Sequence, residues 1–189
     1  MDKKGIFCLE GLWENDLRKK PTVEPVLSLL KKRDDIPYIY GNCATPEEFA
    51  FYISKCVQKK YQDYPILYLA FHGEKGSIHI SKDRYDLEDV GDRLADKCKG
   101  KVIIVGSCNT LNIDKRHLKR FLKKTGAFAV CGYKTTVDWM QSTAFELLLL
   151  NILQKNKFDG RGVVSIKSKV KELSNSFKEL DFRFVSSHE

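Results

Sequence analysis

A chain of 189 residues with 42% hydrophobic and 11% aromatic content can bury one sizeable core. This excludes a disordered or low-complexity protein and predicts a single domain over residues 1–189. No stretch reaches the roughly 18 apolar residues needed to cross a bilayer, so no membrane partner is expected. The net charge of +8 comes from scattered pairs such as Lys19-Lys20, Lys59-Lys60, Lys119-Arg120 and Lys123-Lys124. With no interleaved aromatics these read as solvated helix faces, and no nucleic-acid partner is expected.

Along the chain, strand and helix signals alternate nearly throughout, the pattern of a mostly parallel sheet covered on both faces. The start, Met1-Asp2-Lys3-Lys4, passes directly into an apolar segment. Asp2 and the short apolar stretch argue against a secretory signal, so a cytoplasmic protein is expected. A first strand is predicted over about 4–13, a helix over 22–33 and a short strand over 37–41. Thr45-Pro46-Glu47-Glu48 combines an N-cap, a proline at the first helical position and acids at the positive helix end. The helix it opens is predicted to reach Tyr61. A third strand spans 66–71. Ile78 and Ile80 alternate with polar residues over 76–81, which suggests a small extra strand or hairpin arm. A helix over 86–98 precedes a strand over 102–105. Asp114 caps a basic helix that Gly126 ends, and a strand follows over 128–132. After a loop from Tyr133 to Val137, Asp138 opens a long helix to about Gln154. A joint over 156–162, a last helix over 163–180 and an edge strand over 182–185 complete the chain.

Six cysteines are present: Cys8, Cys43, Cys56, Cys98, Cys108 and Cys131. None forms a C-x-x-C pair, so neither a metal site nor a cofactor is expected, and the thiols should be free. Cys8 and Cys131 sit inside apolar runs and read as small core residues. Cys108 differs, because it follows Gly106-Ser107 at the end of the strand Val102-Ile-Ile-Val105. The strand Ile66-Leu-Tyr-Leu-Ala-Phe71 ends likewise on His72-Gly73. Chemistry in parallel sheets gathers at the carboxyl ends of the strands. The two strands would therefore present a thiol and an imidazole at one sheet edge, the material of a cysteine nucleophile with a general base. His79 on the alternating arm, His117 on the basic helix and His188 near the chain end compete poorly with His72.

The order of these parts resembles the caspase-like cysteine peptidases, and within them is most similar to the CHAT group, which includes the separase protease domain. The resemblance is carried by Phe71-His72-Gly73, by Val105-Gly-Ser-Cys108-Asn-Thr110, and by Ala127-Phe-Ala-Val-Cys-Gly132 leading to Val137-Asp138-Trp139. It covers roughly residues 63–153. It implies a three-layer caspase-like α/β sandwich and a cysteine endopeptidase acting on a protein or peptide substrate. Cys108 would be the nucleophile and His72 the base, with the backbone N–H groups of Gly73 and Cys108 as the oxyanion hole. Asp138 would line a pocket for a basic residue before the cut, with Tyr133 and Trp139 as walls. Metacaspases carry an acid two positions before the nucleophile, where this chain has Gly106. The chain also shows no processing linker between large and small subunits, which points to action with an activating protein partner. The alternative is a non-catalytic caspase-like protein-interaction module. A flavodoxin-like phosphate binder fits less well, because Glu10-Gly-Leu-Trp-Glu14 is too acidic and bulky for a phosphate loop.

Overall fold

The computed structural model describes residues 3–16 and 18–188; the Met1-Asp2 start lies outside them. Strands β1 (Ile6–Gly11), β2 (Tyr38–Cys43), β3 (Ile66–Ala70), β7 (Val102–Val105), β8 (Ala129–Tyr133) and β9 (Phe182–Ser186) form one six-stranded sheet. Its order is β2-β1-β3-β7-β8-β9. All neighbours are parallel except β8 and β9, which run antiparallel, so the last strand closes one edge. A separate antiparallel arm consists of β4 (His72–Glu74), β5 (Ser77–Ile80) and β6 (Asp83–Asp86).

Alternation along the buried strands divides the core in two. Phe7, Leu9, Leu67, Leu69, Ile103, Val105 and Val130 face helices α2 (Pro46–Cys56), α3 (Leu87–Arg93) and α4 (Lys115–Thr125). Ile6, Cys8, Ile66, Tyr68, Ile104 and Cys131 face α1 (Glu24–Asp34), α5 (Trp139–Gln154) and α6 (Gly160–Ser176). This is the expected three-layer α/β sandwich. Continuous apolar runs were required because both faces of each parallel strand are covered.

Several boundaries differ from the sequence-based expectation. The helix opened by Thr45 has the full capping box, with Thr45 and Glu48 satisfying each other's backbone N–H groups. It stops at Cys56 rather than Tyr61, because Gln58 turns extended before a separate 3₁₀ turn over Lys59–Tyr61. Helix α3 ends at Arg93 rather than Cys98. The following segment bonds to the end of α4 instead: Asp96 N–H donates to Lys124 O and Cys98 N–H to Thr125 O, both at 2.9 Å. The last helix begins at Gly160, capped by Asp159, and ends at Ser176. No described helix is long and apolar enough to cross a membrane.

Candidate active site

Two adjacent strands deliver the predicted pair. Beyond β3, Phe71 is buried and His72 begins the arm, exposed to solvent. Beyond β7, Gly106 N–H donates to Leu69 O at 2.8 Å, so the chain stays beside β3 as it leaves the sheet. Ser107 is buried and Cys108 half-buried. Asn109 then takes a left-handed conformation, φ 57°, which asparagine tolerates better than most residues. Its N–H donates to Thr135 O at 3.0 Å and its side-chain amide to Thr136 Oγ1 at 3.0 Å, strapping the turn to the loop after β8. Gly73 presses against this turn. A Cβ at Gly73 would lie 2.3 Å from Thr110 Oγ1, 2.7 Å from Ser107 Cβ and 2.9 Å from Cys108 O. Only glycine permits the two segments to meet here. His72 and Cys108 consequently line one cavity of about 80 Å³.

The imidazole is held from the other side by the segment after β1. His72 Nε2 lies 2.9 Å from Trp13 O. A carbonyl only accepts, so Nε2 carries the proton and Nδ1 is the basic nitrogen of the neutral ring. The Trp13 ring stands edge-on to His72, centroids 5.1 Å apart, and edge-on to Trp139 at 5.0 Å. Glu10 fixes Trp13 in turn by accepting from its indole N–H. The same carboxylate accepts from Val23 N–H at 2.8 Å, from Thr22 Oγ1 at 2.6 Å and from the Tyr40 hydroxyl.

At the cavity lies a carboxylate that sequence reasoning missed. Glu146, on α5, is buried and lines the cavity with Trp13, Tyr68, Trp139, His72 and Cys108. The Tyr68 hydroxyl donates to its Oε2, and the Tyr133 hydroxyl donates to its Oε1 at 2.9 Å. Burial pushes its carboxyl up to about 7, although both tyrosine bonds favour the ionised form. Gly106 is where a side chain could have competed for this space. A Cβ there would lie 2.7 Å from the Tyr68 ring and 3.1 Å from Glu146 Oε1. Glu146 Oε1 thus sits beside Gly106, where the strand end itself carries no side chain.

Asp138 is placed elsewhere and is not among the cavity residues. It is exposed and caps α5, its carboxylate accepting from Gln141 N–H at 2.9 Å. Capping alone accounts for an aspartate at that position. Tyr133 is buried and reaches the cavity only through Glu146, whereas Trp139 lines it directly and is 39% exposed. The other five thiols are buried. Burial raises Cys43 and Cys56 to about 12 and Cys98 to about 11, and it raises Cys8 and Cys131 as well. Cys108 is therefore the exception among the cysteines in access. No cluster of three or more His, Cys, Asp or Glu suited to a metal ion occurs among the described residues.

This three-layer arrangement is the caspase-like fold. Caspase-1 from Spodoptera frugiperda superposes with a TM-score of 0.60 at 15% identity, over 98% of this chain and 87% of that one. The sequence profile described as "Family of unknown function (DUF6642)" matches residues 3–185, and the chain belongs to that family. No curated protein matches it.

Proposed function

We propose that this protein is a cysteine endopeptidase that uses Cys108 and His72 and cleaves after a basic residue. The observation that carries the reading is the shared cavity of thiol and imidazole, with the Trp13 carbonyl on Nε2. Nδ1 takes the Cys108 proton, and the thiolate attacks the scissile carbonyl carbon. The resulting oxyanion is stabilised by the N–H groups of Gly73 and Cys108. When the C–N bond breaks, the imidazolium returns its proton to the leaving amine, and water then hydrolyses the thioester with His72 again as base.

The basic preference rests on Glu146 rather than Asp138. Its two oxygens have one tyrosine donor each, and a carboxylate can accept about four hydrogen bonds. Capacity remains for a substrate ammonium or guanidinium, whose charge would hold Glu146 ionised. The aromatic rings of Trp13, Tyr68 and Trp139 suit the aliphatic stem and cationic head of such a side chain.

As it stands the cavity is small. About 80 Å³ is well below the roughly 300 Å³ of an ordinary ligand pocket. The Trp13–Trp139 ring contact must part before a long side chain enters, which supports control by an activating partner. The same closure favours the second reading, a non-catalytic interaction module.

A panel of fluorogenic peptides ending in Arg, Lys, Ala or Asp, assayed with and without calcium, tests the proposal. Cleavage after Arg and Lys is expected, with Cys108→Ala reduced to the uncatalysed rate. Glu146→Gln is expected to lose about 100-fold in kcat/KM on basic peptides and little on Ala. Cleavage that survives Cys108→Ala sinks the nucleophile. Inert protein whose Cys108 reacts with iodoacetamide no faster than a free thiol favours the interaction module.

A further inference from the structure

A second cavity, of about 280 Å³, opens on the opposite helical layer between the antiparallel arm, α3 and α4. Its floor is apolar: Leu87, Leu118 and Phe121 are buried, and Ile113 is partly buried beside them. Its rim carries Lys75, His117 and Arg120. Two acids also border it, but both are already engaged. Asp86 pairs with Arg84 at 3.0 Å, and Glu88 approaches Lys124 at 3.7 Å, which itself binds Asp92 at 2.7 Å. Neither the Lys75 ammonium nor the Arg120 guanidinium has an ion-pair partner among the described residues. The unmatched charge at this cavity is therefore positive, above a floor that favours hydrocarbon.

The cavity wall is also bonded to the Cys108 turn. Lys75-Gly76 is the turn between β4 and β5, and Gly76 takes φ 77°. Gly76 N–H donates to Thr110 O at 3.1 Å, while Gly76 O accepts from Leu87 N–H at 2.9 Å. Thr110 Oγ1 contacts Ser77 O at 3.0 Å and Cys108 O at 3.2 Å. One residue thus belongs to the cavity lining and is hydrogen-bonded to the turn that carries the thiol.

We propose that this cavity is an effector site for a small amphiphilic anion, an aromatic or aliphatic body bearing one phosphate or carboxylate. The anion bridges Lys75 and Arg120 while its apolar body fills the space over Phe121 and Ile113. Drawing Lys75 toward α4 shifts the Gly76–Thr110 bond and, through it, the setting of Cys108. The regulatory half rests on the reading of Cys108 as nucleophile; the binding half does not.

The probes are 1-naphthyl phosphate and 1-naphthoate, with inorganic phosphate alone as the headgroup control. Binding is followed by amide chemical shifts, and Cys108 reactivity by its iodoacetamide rate, which needs no peptidase activity. Both naphthyl probes should bind and shift Gly76, Leu87 and Phe121, with inorganic phosphate at least about tenfold weaker. The paired change Lys75→Glu with Arg120→Glu should weaken binding about tenfold. Lys171→Glu, elsewhere on α6, should not. Saturating probe should change the Cys108 alkylation rate severalfold in the parent and leave it unchanged in the paired variant. Shifts centred outside the cavity, charge-independent binding, or equal affinity for phosphate alone overturns the site. Binding with no change in alkylation rate overturns the coupling while leaving the peptidase reading to its own assay.

Discussion

Two buried carboxylates stand at the carboxyl edge of the same sheet, and they are used differently. Glu10, at the end of β1, is 1% exposed and is surrounded by four donors: Trp13, Thr22, Val23 and Tyr40. Four donors saturate the oxygens, so this acid is a structural anchor. Glu146 is also buried and, like Glu10, borders a cavity, but only two tyrosine hydroxyls reach it. Burial alone does not mark a site. What separates the two acids is acceptor capacity left unspent, which is the capacity the proposed substrate contact would use.

The largest expected effect comes from emptying the saturated side. Glu10→Ala strands four buried or partly buried donors and frees the Trp13 segment, and we expect it to cost about 4 kcal/mol of folding stability. Denaturant unfolding measures this; a loss below about 1 kcal/mol would erase the contrast. The next effect is on pH dependence. Because Glu146 titrates near 7 when folded against an ordinary 4.5, the folded state binds the extra proton between those values. Its contribution is fully present below pH 4.5, declines as pH rises and is gone above 7, a span of about 3 kcal/mol. The difference in stability between the parent and Glu146→Gln, followed from pH 4 to 8, should show that slope; parallel curves would mean that Glu146 ionises normally. The smallest effect concerns Trp139, which packs on the Trp13 held by Glu10. Trp139→Ala removes one edge-to-face contact, so iodoacetamide should reach Cys108 about threefold faster. An unchanged rate would mean that the ring pair does not guard the thiol.

Much of this arrangement is legible from sequence because both faces of the parallel strands are covered. Residues 66–70 and 102–105 are apolar without interruption, and His72 and Cys108 follow two and three residues after them. Thr45, Asp114 and Asp138 announce helix starts for a local reason that tertiary structure did not override. Helix ends are less legible: α3 stops where backbone bonds to α4, remote in sequence, become available. Glu146 is hidden for the same kind of reason. It precedes Leu147-Leu-Leu-Leu150 in a helix, and nothing local distinguishes it from a solvated acid. Its character comes from Tyr68, 78 residues away, and from the missing side chain at Gly106. The signal of Asp138 is local, and so is the hydrogen bond it accepts from Gln141 N–H.

The ring of Trp13 lines the cavity while its carbonyl oxygen bonds the His72 imidazole. A backbone swing of that segment would open the cavity and release the imidazole in the same movement. Rotation of the indole about its own side-chain bonds would open the cavity and leave the carbonyl in place. The second route costs the indole bond to Glu10 but keeps the bond to His72. The side chain and the backbone of Trp13 thus hold two different contacts of the one cavity.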